Sequence, residues 1–350
     1  MTVFVDPAQN GGVDPASSQS TTMYPVGDTP LVPILGSFSN QMKLFGKLEW
    51  CPSGRCDHLS SIKERAAYFM IRDAEERGIL GKGDRIVVEA TSGNTGIALA
   101  RICRSKGYEI QIVVSSKASP EIKETLRSLG AKVIEPPPGP VSCSRGTDDF
   151  IVLAQAMLKS NPERRAEGLR EFFMPNQYEN EANFLAHYRT TGPEIWRQTG
   201  GEVTHVFVGI GTGGTLSGIE HCLKEKNPGV KVYAVEREPR SKIQGIRNFS
   251  ESEIPGLLAR KIDLEEKRRK GEWVTVSDEE AFQAIRRLAV EDRIFAGLSS
   301  GATVAAALKV STKENGVGVA ILGDSGYKYQ SLYQGLSLFT KREMSALIQS

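Results

Sequence analysis

The chain has 350 residues, more than twice a common domain size of about 150, so its length favours two lobes with a cleft between them. Hydrophobic residues make up 39% and charged residues 25%, a balance that excludes a disordered or fibrous chain. The formal charge of +2, from 44 basic and 42 acidic residues, excludes a sustained basic face for nucleic acid.

The one dense basic run, EEKRRKGE at 265–272, carries its own acids and reads as a solvated helix end. No apolar stretch approaches the ~20 residues of a membrane span, and residues 1–22, polar and rich in Gly, Ser and Pro, lack a basic start followed by an apolar block. They read as a loosely held lead-in, and a cytoplasmic location is expected. The five cysteines, at 51, 56, 103, 143 and 222, are odd in number and scattered, which predicts reduced thiols rather than a disulfide framework.

In chain order, DRIVVEA (84–90) is a β-rich run that ends in a Gly/Ser turn, and TGIALARICRSKG (95–107) has helical spacing closed by Gly107. EIQIVVSS (109–116) is a second strand. SPEIKETLRSLG (119–130) is a helix with Pro at its first position, and AKVIEP (131–136) a third strand. A Pro-rich surface loop, 135–149, follows. The pattern resumes with THVFVGIG (204–211), a helix from Leu216, VKVYAVERE (230–238), a helix around 278–291 and GVAILGD (318–324). Near-continuous apolar strands alternating with helices imply an α/β fold of mostly parallel sheets flanked by helices, with ligands at the carboxyl ends of the strands.

Two strand-to-helix turns carry chemistry. EATSGNTG (89–96) gathers Thr91, Ser92, Asn94 and Thr95 around small glycines at a helix start, which makes a carboxylate-binding loop. A simple N-cap would account for one such residue. GIGTGGTLSG (209–218) can wrap a phosphate, with Thr212 and Thr215 adding donors. Gly209, Gly211 and Gly214 also match G-x-G-x-x-G, and Glu236 or Glu238 stands about where a dinucleotide fold places its ribose-binding acid, so NAD is a rival reading of this turn. Lys63 bears on the choice. In SSIKERAAYFMI it stands at a helix start, where a cation opposes the dipole and loses proton affinity, as Schiff-base chemistry with an aldehyde cofactor requires. A solvated surface lysine is the competing reading of that position.

Taken together, these stretches resemble the pyridoxal-phosphate-dependent cysteine synthase and cystathionine β-synthase family, of the tryptophan-synthase-β-like fold. The likeness runs from GDTPLV (27–32) to ILGDSGYKYQSLY (321–333) and includes SIKER, EATSGNTGIALA, NQYENEAN (176–183), TTGPEIW (190–196), GTGGT (211–215), KIQGI (242–246) and FAGLSSGA (295–302) in order. One weak dinucleotide fingerprint does not account for the other six segments. The resemblance implies a smaller lobe from 56–185, a larger one from 23–55 with 186–350, the cofactor in the cleft between them, and a homodimer. It implies that Lys63 holds pyridoxal 5′-phosphate and serves as base and acid at the substrate Cα, and that Asn94 meets the ring oxygen. Gly211, Thr212, Gly213, Gly214 and Thr215 would cradle the phosphate, and Ser299 would meet the pyridine nitrogen. Thr91, Ser92, Thr95 and Gln177 would hold the substrate carboxylate. A neutral Ser299 weakens the electron sink and favours β-elimination over racemisation.

The implied reaction is β-replacement on an activated L-serine through an aminoacrylate, with a sulfur nucleophile giving L-cysteine. Where relatives that use acetylserine continue KIQGI with small residues, this chain has Arg247, a bidentate partner for a phosphate leaving group. That points to O-phospho-L-serine, with sulfide or a small thiocarboxylated carrier protein as donor. A structural salt bridge is the plain alternative for Arg247. A diaminopropionate-precursor synthase, with phosphoserine and an amino-acid amine, ranks second, and cystathionine synthesis third. The chain departs from the Asn-Pro-x-Gly-Ser-x-Lys pattern: Cys51 replaces the Asn, and Lys63 comes twelve residues after it. Cys51, Cys56 and His58 lack the spacing and fourth partner of a zinc site, so the insertion reads as a longer loop and no metal is expected.

Overall fold

The computed structural model describes residues 26–35, 42–91, 93–115, 118, 120–136 and 149–349. The polar lead-in, most of the Pro-rich loop and Cys143 lie outside the described residues. Strands β1 (Leu31–Pro33) and β2 (Met42–Leu48) precede helix α1 (Lys63–Glu76). Then follow β3 (Arg85–Thr91), α2 (Asn94–Lys106), β4 (Ile110–Val114), α3 (Pro120–Ser128), β5 (Lys132–Ile134), α4 (Asp149–Lys159), α5 (Asn161–Ala166) and β6 (Glu171–Phe173). Helix α6 (Glu181–Ala186) runs through a π-turn, His187–Thr191, into α7 (Gly192–Gln198). The remainder comprises β7 (Val203–Gly209), α8 (Gly214–Lys226), β8 (Lys231–Arg237), α9 (Gly256–Lys261), α10 (Leu264–Arg269), β9 (Trp273–Val276), α11 (Asp278–Glu291), α12 (Leu298–Ser311), β10 (Gly316–Leu322), α13 (Gln330–Gly335) and α14 (Lys341–Gln349).

These strands form two sheets. One has four strands in the order β5-β4-β3-β6, all parallel. The other has six in the order β1-β2-β10-β7-β8-β9, parallel except for the β1–β2 pair. The buried apolar runs dictate this arrangement, because a strand buried on both faces needs helices on both sides. Val87, Ile112 and Val114 pack on one face of the four-stranded sheet with Ile71, Ile97, Ile102 and Leu126, while Ile86 and Val88 pack on the other with Phe150 and Ala154. Helix ends follow their local chemistry. Gly107, in the left-handed region at φ 78°, closes α2, and Ser277 and Glu280 form a capping box at the start of α11.

A buried ion cluster ties the end of β2 and helix α7 to α1. Arg65 Nε donates to Glu49 Oε2 at 2.7 Å, and its two terminal nitrogens donate to Glu194 Oε1 and Oε2 at 2.7 Å each. Lys47 Nζ donates to Glu194 Oε2 at 2.7 Å. Burial alone would raise the Glu194 pKa, but Arg65 and Lys47 hold it down at about 2.

Two expectations are corrected. Cys51 and Cys56 are joined in a disulfide, not reduced: the tight turn Pro52–Gly54 brings them together, a proximity that cysteine count and scatter do not register. The described free cysteines, Cys103 and Cys222, are buried. The basic run is not wholly a solvated helix end, because Lys267 is buried, donates to the Val232 carbonyl at 2.6 Å and lies 2.9 Å from Glu220 and 3.0 Å from Glu272. The dinucleotide acid is also absorbed by the fold: Glu236 accepts from the Phe249 N–H at 2.8 Å and from Trp273 Nε1 at 2.9 Å. No helix among the described residues is long and apolar enough to cross a membrane.

Candidate active site

A cavity of about 720 Å³ opens where β3, β7 and β8 end, and the residues of both chemical turns meet there. Lys63, Thr91, Asn94, Thr95, Gln177, Gly211, Thr212 and Arg247 line it together, although up to 184 positions separate them in the chain. Lys63 is the first residue of α1. The helix start is pinned to the end of β10, because the Ile62 N–H donates to the Gly323 carbonyl at 2.8 Å and Ser61 pairs with Asp324. Burial lowers the Lys63 pKa and the nearby Asp324 carboxylate opposes the shift. Desolvation of the ammonium is thus the main cause of its weakened proton affinity.

The loop that follows β3 is braced by Glu89. This side chain, 1% exposed, accepts from the Asn176 N–H at 2.7 Å and from the Gln177 N–H at 3.5 Å. Its pKa is pushed up to about 8 by burial, against the backbone donors. Gln177 is thereby fixed beside β3: its Nε2 donates to the Ala90 carbonyl at 3.1 Å, and its Oε1 accepts from Thr95 Oγ1 at 2.7 Å. Gln177 and Thr95 therefore hold one another at the cavity wall. Ser92 lies outside the described residues.

At the phosphate turn, Gly213 is in the left-handed region at φ 90°, and a Cβ there would meet Leu258 Cβ at 2.5 Å. A Cβ on Gly214 would meet Asn183 Oδ1 at 2.2 Å. The backbone therefore runs bare into the first turn of α8, which presents N–H groups that lack intrahelical partners. Thr212 Oγ1 accepts from Asn183 Nδ2 at 2.9 Å, and Thr215 Oγ1 lies 3.1 Å from His187 Nε2. Burial, with Arg65 and Lys63 nearby, holds the His187 pKa well below its ordinary value, so the ring is neutral and one of its nitrogens can accept. Ser299, second in α12, is not among the residues that line the cavity, but a Cβ on Gly245, which does line it, would come within 3.8 Å of its Oγ.

These features fit a phosphorylated aldehyde cofactor. They combine a desolvated lysine, a side-chain amide, and a glycine turn at a helix N-terminus that a Cβ would fill. Arg247 lies on the cavity wall with its guanidinium over the Tyr178 ring at 4.9 Å, and its N–H donates to the Ile210 carbonyl at 2.7 Å. Sequence reasoning missed Asp324 and Lys328, which the fold brings against Asn94, and also Glu89 and His187, which hold the two loops. DSGYKYQSLY contains the first two, but nothing in that stretch indicates what they touch.

Residues 22–323 match the pyridoxal-phosphate dependent enzyme family. The chain belongs to that family, within the group of cysteine synthases and cystathionine β-synthases, and its cofactor is pyridoxal 5′-phosphate. It is 38% identical over 317 residues to cysteine synthase B of Salmonella typhimurium, covering 89% of this chain and 95% of that protein. Among solved structures it is similar to O-ureido-L-serine synthase (31% identity, 93% of this chain and 98% of that one, TM-score 0.75). It is also similar to a hydrogen sulfide-producing enzyme from Fusobacterium nucleatum (33% identity, 87% and 97% covered, TM-score 0.72).

Proposed function

We propose that this enzyme carries out β-replacement on an activated L-serine, O-phospho-L-serine in preference to O-acetyl-L-serine, with a sulfur nucleophile to give L-cysteine. The observation that carries the reading is the convergence of Lys63, the carboxylate loop, the phosphate turn and Arg247 on one cavity. Relatives named as cysteine synthases support the sulfur chemistry. Pyridoxal phosphate, when bound, supplies the electron sink that lets a Cα–H bond break. Lys63 Nζ takes that proton, burial having lowered its proton affinity below that of an ordinary lysine. Asn94 orients the ring oxygen, Ser299 meets the ring nitrogen, and residues 211–215 anchor the phosphate. Thr91, Ser92 and Thr95, with Gln177 behind, hold the substrate carboxylate. Arg247 pairs with the leaving phosphate as the Cβ–O bond breaks, and a C–S bond then forms at Cβ as Lys63 returns the proton to Cα.

We read 56–185 as one lobe and 23–55 with 186–350 as the other, since β3–β6 come from the first and the strands of the six-stranded sheet from the second. A homodimer and a thiocarboxylated carrier protein as donor belong to the same reading, which rests for them on the resemblance.

The test is turnover of purified holoprotein with O-phospho-L-serine or O-acetyl-L-serine and sulfide. Arg247→Ala is expected to lower kcat/KM for phosphoserine by about 10–100-fold, the worth of a hydrogen bond to a charged group, and to leave acetylserine within about twofold. Equal losses with both substrates would refute the role of Arg247. Turnover with glutamate in place of sulfide would instead establish the diaminopropionate reading. Borohydride treatment should leave the cofactor's mass on the Lys63 peptide, and label elsewhere would overturn the site.

A further inference from the structure

Lys328 is a second, half-buried lysine lining the cavity, and the chemistry above does not use it. Its ammonium donates to the Ser60 carbonyl at 2.9 Å and to Asn94 Oδ1 at 2.8 Å. On the opposite side of the same amide, Asn94 Nδ2 donates to Asp324 Oδ2 at 2.7 Å. Asp324 is 1% exposed and also accepts from the Tyr329 hydroxyl at 2.7 Å. The Asn94 side chain is therefore held between a cation at its oxygen and an anion at its nitrogen. Turned over, it would set NH₂ against an ammonium and a carbonyl oxygen against a carboxylate, so only one orientation is permitted. That orientation turns the amide NH₂ toward Asp324 and the Tyr329 hydroxyl, on the wall of the cavity that Asn94 lines.

The same ammonium also joins three segments. Ser60 belongs to the loop that enters α1 just before Lys63, Asn94 is the first residue of α2, and Lys328 and Asp324 sit in the turn after β10. Burial pulls the Lys328 pKa down, and Asp324 is the largest influence opposing it. Removing either charge would leave the amide without one of its two restraints.

We propose that Lys328, with Asp324 as its counterpart, is a positioning residue for the cofactor: the pair fixes which side of the Asn94 amide is NH₂ and so the orientation in which that amide meets the pyridoxal phosphate ring. The inference rests on the reading that Asn94 meets the ring oxygen.

The test is a double-mutant cycle read on cofactor affinity. Holoprotein is resolved and reconstituted, and the dissociation constant for pyridoxal phosphate is measured for wild type, Asn94→Ala, Lys328→Met and the double variant. Because Lys328 acts through Asn94, each single change should weaken affinity roughly tenfold, and Lys328→Met should add less than about twofold in the Asn94→Ala background. Equal losses in both backgrounds, or no loss in the single variant, would overturn the proposal. If Lys328→Met gives no cooperative thermal transition, Asp324→Asn runs the same cycle with the same expected pattern. Wild type that binds no pyridoxal phosphate, or that carries it away from Lys63, would count against the site reading itself, a result distinct from additive losses.

Discussion

At the scale of single residues, the cavity relies on groups whose proton affinities are set by burial. Glu89 shows the consequence for stability. Its folded pKa, about 8, lies above the ordinary 4.5, so between those values the folded chain holds a proton that the unfolded chain has released. Stability therefore falls as pH rises from about 5 to about 8, by up to about 1.4 kcal/mol per unit, and levels off above that. Glu89→Gln replaces the neutral carboxyl with a neutral isostere that still accepts from Asn176. Urea unfolding at a series of pH values should show the variant gaining on wild type across that window, and parallel curves would disprove a protonated Glu89. This site was invisible in the sequence, because EATSGNTG directs attention to its hydroxyls and the acid before them resembles any strand-end glutamate.

At the scale of elements, the start of α1 is held by Arg65, two residues after Lys63. Its guanidinium is 1% exposed as a residue and bonds Glu49 and Glu194, which lie on a loop after β2 and on α7. Arg65→Met would leave two buried carboxylates with Lys47 as the remaining cation of this cluster. A loss of about 3–5 kcal/mol is expected, read from the denaturant midpoint. The sign with pH is opposite to that of Glu89. Glu194 has a folded pKa of about 2, below the ordinary 4.5, so its contribution is present above about 4.5 and is lost as pH falls toward 2. Wild type should accordingly lose stability in that acid range, and Arg65→Met should lose less of it; an identical acid limb in the two proteins would contradict the cluster's role. The helices and strands themselves were largely legible. DRIVVEA became β3, and the helix around 278–291 became α11 with its Ser277–Glu280 cap. The short strands β6 and β9 gave no periodic signal, since three or four residues cannot display one.

At the scale of the whole molecule, the cavity draws its walls from the carboxyl ends of strands in both sheets, with Thr91 closing β3 and Arg237 closing β8. A ligand bound there touches segments that are otherwise joined by loops and buried side chains. Cofactor binding should therefore stabilise the fold by mass action. With free pyridoxal phosphate at 100 times its dissociation constant the gain is about 2.7 kcal/mol, a rise of roughly 4 °C in the thermal midpoint over the resolved protein. A midpoint unchanged by cofactor would show that it does not bind the folded chain in preference to the unfolded one.

The sequence by itself determined the alternation of strand and helix, the two strand-to-helix turns and Lys63 at a helix start. These are local properties, written in hydrophobic period and in the small residues that a close backbone approach requires. Tertiary structure alone decided which charges meet. Lys328 and Asp324 reach Asn94 across more than 200 positions, Glu89 reaches Asn176, and the turn at Pro52–Gly54 closes Cys51 onto Cys56. A side chain's partner in a folded chain depends on where distant backbones pass. Desolvation, which sets the proton affinities of Lys63 and Glu89, exists only once those backbones have closed around them.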